Sequence, residues 1–168
     1  MLFRSINTEV MERILARYRH ELPLVGGAVD AVERLAPDFR LAVASSSNRP
    51  VIDAVLDTAG LSELFGVTVS SEEVERGKPA PDVYVEAARR LGTAPERCAA
   101  VEDSANGIRS AQRARMRVIA IPNRRYPPAD DALAAADVVL ESLADLSREV
   151  ILREDGAVGP PSSSPLRA

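Results

Sequence analysis

Glu102 and Asp103 stand side by side in the stretch AVEDSANG, residues 100 to 107, between a short apolar run and a Ser-Ala-Asn-Gly turn. Two adjacent carboxylates at the end of a buried strand repel each other unless a proton or a cation comes between them. A hard divalent ion such as Mg2+ takes oxygen ligands and keeps several waters, which makes Glu102 and Asp103 candidate metal ligands. Ser45 follows another apolar run, RLAVA, and opens the series Ser45, Ser46, Ser47; Lys78 immediately precedes Pro79. A hydroxyl, an ammonium and a metal ion together suit the equatorial oxygens of a transferring phosphoryl group. Pro79 disfavours helical geometry at Lys78 and holds it in an extended loop ahead of the next helix.

Each of these residues also has a plainer account. Ser45 to Ser47 suit the cap of the following helix. Lys78 taken alone suits a solvated surface position, and the acidic pair suits the first turn of a helix. Arg109, Arg113, Arg115 and Arg117 read as a solvated face. His20, the only histidine, has no visible partner acid or nucleophile. What lifts Ser45, Lys78 and the acidic pair above their separate accounts is order, because each falls at or beyond its own strand end.

The elements that must position them alternate. A helix spans residues 8 to 20, with Met11, Leu15 and Tyr18 at helical spacing, and a second runs from residue 28 to Pro37. RLAVA is a strand, Pro50 opens a helix that Gly60 closes, and VTVS is the next strand. KPAPDVYVEAARRLG repeats the pattern, with prolines at its entry and Gly92 at its exit. CAAV is a buried strand that leads into the acidic pair, Ser104 caps a helix carrying Ile108 and Ala111, and RVIAI is a continuous apolar strand. A helix capped by Asp130 or Asp131, the strand DVVL and the closing helix SLADLSREVI complete the series. This alternation predicts an α/β fold, a three-layer Rossmann-like parallel sheet covered on both faces. Ligands then lie beyond the carboxyl ends of the strands, where Ser45, Lys78, Glu102 and Asp103 fall.

Bulk properties agree. The 168 residues allow one sizeable core. A net charge of -4 lacks the basic excess of a nucleic-acid or membrane-surface binder, so neither partner is expected. A single cysteine, Cys98, and the lack of a membrane span or secretory h-region predict a cytoplasmic protein. Residues 153–168, rich in Pro and Ser, are expected to be a disordered tail.

LAVASSSN, GKPAPDVY and VEDSANGI resemble, in order and spacing, three motifs of the haloacid dehalogenase-like hydrolase superfamily, in particular its beta-phosphoglucomutase-like and phosphoglycolate phosphatase-like branch. The resemblance runs from about Leu22 to Leu146. It implies that Ser45 binds the phosphoryl group, assisted by Ser46, Ser47 or nearby backbone N–H groups, that Lys78 steadies the phosphoryl charge and the nucleophile, and that Asp103 with Glu102 holds Mg2+. The substrate would be a small phosphorylated metabolite, turned over by a phosphatase or a sugar-phosphate mutase.

That family attacks phosphorus with an aspartate of a D-x-D-G motif on its first strand, and these 168 residues contain no D-x-D-G. Asp53, Asp57 and Asp130 fall inside or before helices, away from the ligand edge. The resemblance places the first strand at the centre of the sheet, between the strands ending at Ser45 and Glu102. Its absence predicts two open edges that invite a complementing chain or self-association. Residues 1–21 then correspond to the end of a cap domain and its linker, and 22–152 to the core. The leading expectation is an N-terminally truncated phosphatase with its start upstream. The alternative is a non-catalytic Mg2+ and phosphate-ligand binding or assembly protein. A smaller departure is Arg115, which stands where the family usually has glycine and costs about 1 kcal/mol if the position is left-handed.

Overall fold

Short strands alternate with helices along the chain, as the apolar runs predict, and every strand pairing is parallel. The computed structural model describes residues 2–18 and 20–152. Helix α1 (Leu2–Tyr18) leads into α2 (Ala28–Leu35) and strand β1 (Leu41–Ser45). Then come α3 (Arg49–Ala59), β2 (Phe65–Ser70), α4 (Asp82–Leu91) and β3 (Ala99–Glu102). The series closes with α5 (Ala105–Arg113), β4 (Arg117–Ala120), α6 (Asp130–Leu133), β5 (Val138–Val139) and α7 (Arg148–Leu152). Among the described residues, no helix is long and apolar enough to cross a membrane.

The sheet is in two pieces. β1 pairs with β2, from Leu41 opposite Phe65 to Ser45 opposite Ser70, while β3, β4 and β5 form a second sheet in that order. Among the described residues no strand lies between β1 and β3, and both line one cavity of about 1630 Å³. The central strand expected to be absent corresponds to this slot. Its rim is incompletely covered: Val101 of β3, an apolar residue in a short strand, remains 41% exposed.

Two helices hold the halves together from opposite faces. α4 buries Val83, Tyr84, Ala87 and Ala88 in one cluster with Val69 of β2, Ala100 of β3 and Val118 of β4, and Ala42 and Ala44 of β1 pack against it. On the other face, Val29 and Val32 of α2 and Val43 of β1 pack against one cluster around Ile52, Leu56 and Leu61, and Leu35 shares a second cluster with Ile119 of β4. The period of two along β1 and β4 thus sends alternate residues to opposite layers, as a parallel sheet covered on both faces requires. Fully burying side chains such as Val69, Val83, Ile108 and Val118 contributes about 1.5–3 kcal/mol each.

The structure corrects several element expectations. The first helix runs over Leu2–Tyr18 rather than 8 to 20. SLADLSREVI is not one helix: Ser142 caps a turn over Leu143–Asp145, the buried Leu146 interrupts it, and Ser147 accepts from the Val150 N–H to start α7 afresh. DVVL contributes only Val138 and Val139 to the sheet. The arginine face is not merely solvated, since Arg109 pairs with Asp131 at 2.6 Å and Arg113 donates to the Pro79 carbonyl at 2.8 Å. The expected disordered tail, 153–168, lies outside the described residues.

Arg115 is the one described non-glycine residue with positive φ, 64°, close to the 65° with which Gly92 ends α4. A Cβ is penalised there. Its exposed pair with Glu96, at 3.2 Å, offsets little of that cost. Arg115→Gly is therefore expected to raise the unfolding free energy by about 1 kcal/mol in urea titration; an unchanged or lower midpoint would contradict the strain.

Glu73 ties β2 to α3 and α4. Its carboxylate accepts the Ser70 N–H at 2.9 Å and pairs with Arg90 at 2.8 Å and with Arg49. The backbone bond first, and then the two guanidiniums, hold its pKa down to about 2 against the opposing effect of burial. A carboxylate depressed in the folded state stabilises fully above its unfolded pKa and loses that contribution as pH falls through the folded value. Between about pH 4.5 and 2, the wild-type Tm is expected to fall more steeply than that of Glu73→Gln. Parallel curves would show that Glu73 does not contribute.

Candidate active site

Ser45, Ser46, Ser47, Lys78, Glu102 and Asp103 all line the slot between the half-sheets. Ser45 is the last residue of β1 and Glu102 the last of β3, so the sequence expectation of one shared strand edge holds in space.

The serines do not cap the next helix. The N-cap of α3 is Asn48, whose side chain donates to Glu72 at 2.6 Å instead. Ser45 Oγ accepts the Ser47 N–H at 3.0 Å, which folds the loop back over the strand end. Ser70 and Ser71, at the end of β2, donate to the Ser47 and Ser46 carbonyls at 2.7 and 3.0 Å. The loop is thereby fixed through its backbone. Ser45 Oγ keeps its own O–H for a ligand, because a hydroxyl donates one proton while accepting others.

Lys78 is not a surface lysine. Its side chain is 12% exposed and forms an ion pair with the 7% exposed side chain of Glu102. The Lys78 Nζ also donates to Tyr84 Oη at 3.3 Å and lies 4.7 Å from the centre of that ring. Tyr84 Oη in turn donates to Glu102 Oε1 at 2.5 Å. Burial first, and then the Glu102 charge, push the Tyr84 hydroxyl far above the ordinary phenol range, so it stays protonated. The loop carrying Lys78 is anchored by α5, where Ser110 Oγ donates to the Ala80 carbonyl at 2.6 Å and Arg113 to that of Pro79. Removing one partner of such a buried pair costs about 3–5 kcal/mol, since the other charge is left uncompensated.

The acidic pair is divided in its environment. Glu102 is buried, and its second oxygen accepts the Asp103 N–H and the Ser104 hydroxyl, each at 3.2 Å. Asp103 is exposed, and among the described residues no group donates to its carboxylate. The first turn of α5 closes over Glu102: Ser104 caps it by accepting the Gly107 N–H at 3.1 Å, and a Cβ at Gly107 would lie 1.9 Å from Glu102 Cδ. The loop after β4 reaches the same edge, with the Asn123 N–H 3.4 Å from the Asp103 carbonyl.

Other carboxylates of the slot are engaged. Asp38 pairs with Arg148, Glu96 with Arg115, and Asp137 accepts the Val118 N–H. Asp53 lies 3.7 Å from Arg49 and Asp57 accepts from Ser62, both away from the slot lining. No cluster of three or more His, Cys, Asp or Glu is assembled for a metal among the described residues. The carboxylate of Asp103 is thus the slot group that could hold a cation, together with oxygens from water or a ligand.

Tyr84 carries no chemical signal of its own in the sequence. A signal for Lys78 was available, since it is the only lysine in a chain with 21 lysines and arginines.

Comparison with known proteins follows the same lines. Residues 4–115 match a family model described as a haloacid dehalogenase-like hydrolase. Hexitol phosphatase B of Escherichia coli (strain K12) is 36% identical over 151 residues, which cover 86% of this chain and 67% of that protein. The bifunctional riboflavin kinase/FMN phosphatase of Arabidopsis thaliana is 35% identical over 139 residues, 76% of this chain and 36% of that protein. A crystal structure of CbbY from Rhodobacter sphaeroides in complex with xylulose-(1,5)bisphosphate matches with a TM-score of 0.77 at 32% identity, over 87% of this chain and 66% of that one. The chain spans between about a third and two thirds of the length of these relatives.

The close approach of α5 to Glu102 gives a direct test. Gly107→Ala forces the carboxylate away from Lys78 and is expected to destabilise the protein by about 3 kcal/mol or more in urea titration. A variant as stable as wild type would show that Glu102 has room the structure denies it.

Proposed function

The chain belongs to the haloacid dehalogenase-like hydrolases, and on that footing we propose that it carries the phosphate- and metal-binding half of a Mg2+-dependent phosphatase or sugar-phosphate mutase acting on a small phosphorylated metabolite. The observation that carries this reading is the convergence of the Ser45 hydroxyl, the Lys78 ammonium and the free Asp103 carboxylate on one slot at the strand ends. Hexitol phosphatase B and CbbY, with its bound sugar bisphosphate, support the substrate class.

The residues have separate tasks. Ser45 and the backbone of the loop through Ser47 donate to the phosphoryl oxygens, and the paired Lys78 supplies a fixed positive charge that needs no reorganisation during transfer. Asp103 holds Mg2+, which when bound neutralises phosphoryl charge as a Lewis acid. Glu102 lies behind it with its oxygens already taken.

The nucleophilic carboxylate belongs on a strand that fills the slot. β1 and β3 offer that strand two unpaired edges, and backbone groups left unpaired in such a place are costly. Relatives longer than this chain support a source upstream in the same polypeptide, with α1 and the residues to 21 closing a cap domain and 22–152 forming the core.

The reading frame before the Met1 codon is expected to encode an Asp-x-Asp-Gly within about 100 codons, a typical domain segment. The extended polypeptide is expected to release phosphate from sugar phosphates only with Mg2+, and Ser45→Ala to lower kcat/KM about 100-fold. An in-frame stop with no such motif before it, or activity indifferent to Mg2+ and Ser45, would overturn the reading.

A further inference from the structure

The triangle of Lys78, Tyr84 and Glu102 has only one arrangement of its protons. An ammonium only donates, a carboxylate only accepts, and a phenol has a single O–H. Lys78 Nζ therefore donates to both Tyr84 Oη and Glu102 Oε1, and Tyr84 Oη gives its one proton to the same Oε1. Two of the three ammonium protons are consumed inside the triangle, and the ring face of Tyr84 supports the charge at 4.7 Å. The third proton remains for the slot that Lys78 lines.

Glu102 is saturated by the same count. A carboxylate offers about four lone-pair sites. Oε1 takes Lys78 and Tyr84, and Oε2 takes the Asp103 N–H and the Ser104 hydroxyl. Gly107 closes the remaining side, since even a methyl group there would overlap the carboxylate.

We propose that Tyr84 and Glu102 are positioning residues that clamp the Lys78 ammonium toward a phosphoryl group. The proposal rests on the phosphoryl-transfer reading for its ligand, but the clamp itself is a property of the folded chain.

Because Lys78 is the only lysine, protein labelled with nitrogen-15 at the lysine side chain gives one ammonium resonance. In the wild type this signal is expected to exchange slowly with water. Tyr84→Phe keeps the ring and loses the hydroxyl, and is expected to speed exchange roughly tenfold, the effect of one lost hydrogen bond. Glu102→Gln is expected to speed it at least as much, with core amides such as that of Val118 reporting an intact fold. Inorganic phosphate is expected to shift the ammonium signal in the wild type and less in Tyr84→Phe.

A fast-exchanging wild-type ammonium, or Tyr84→Phe indistinguishable from wild type, overturns the clamp. A wild-type ammonium signal unmoved by phosphate would instead count against the proposed function, leaving the exchange rates to decide the clamp.

Discussion

The buried ion pair between Lys78 and Glu102 joins two half-sheets that share no strand pairing. Lys78 comes from the loop after β2, and Glu102 ends β3. Charges so poorly solvated persist only when paired and supplied with further hydrogen bonds, and much of the surrounding structure meets that demand. Tyr84 reaches in from α4, the first turn of α5 closes over the carboxylate, and Ser110 and Arg113 hold the loop that delivers the lysine. The pair is thus both a fastening across the slot and the means by which a cationic donor is presented at its end.

The slot gives this fastening its importance. β1 and β3 each carry one unpaired edge into it, while α2 and α4 span it from the two faces. An open edge invites another strand, and the edges here are short and largely apolar, with no lysine or proline in β1 or β3.

Electrostatic order extends outward from the site. Glu73 gathers Arg49 and Arg90 and closes the capping box with Ser70, setting the turn that follows β2. That turn holds the Ser46 and Ser47 carbonyls through Ser70 and Ser71. The loop from Ser45 to Ser47 is therefore positioned by backbone contacts whose donors belong to the neighbouring strand end, which leaves its own hydroxyls for a ligand. A site whose supporting contacts are made before the ligand arrives avoids the cost of ordering it on binding.

The sequence by itself determined the alternation of strands and helices and the common edge on which Ser45, Lys78 and the acidic pair fall. These are consequences of period, of proline and glycine placement, and of residue order, all of which are local. The sequence did not reveal that Asn48 rather than the serines caps α3, nor that SLADLSREVI breaks at Leu146, because competing caps and the pull of a core on one leucine are settled only in three dimensions. Nor did it separate Glu102 from Asp103. Adjacent in the chain and alike in chemistry, they point to opposite environments because successive residues at a strand end face opposite sides, and only the packing of Tyr84, Lys78 and Gly107 around one of them made it a buried partner and left the other free.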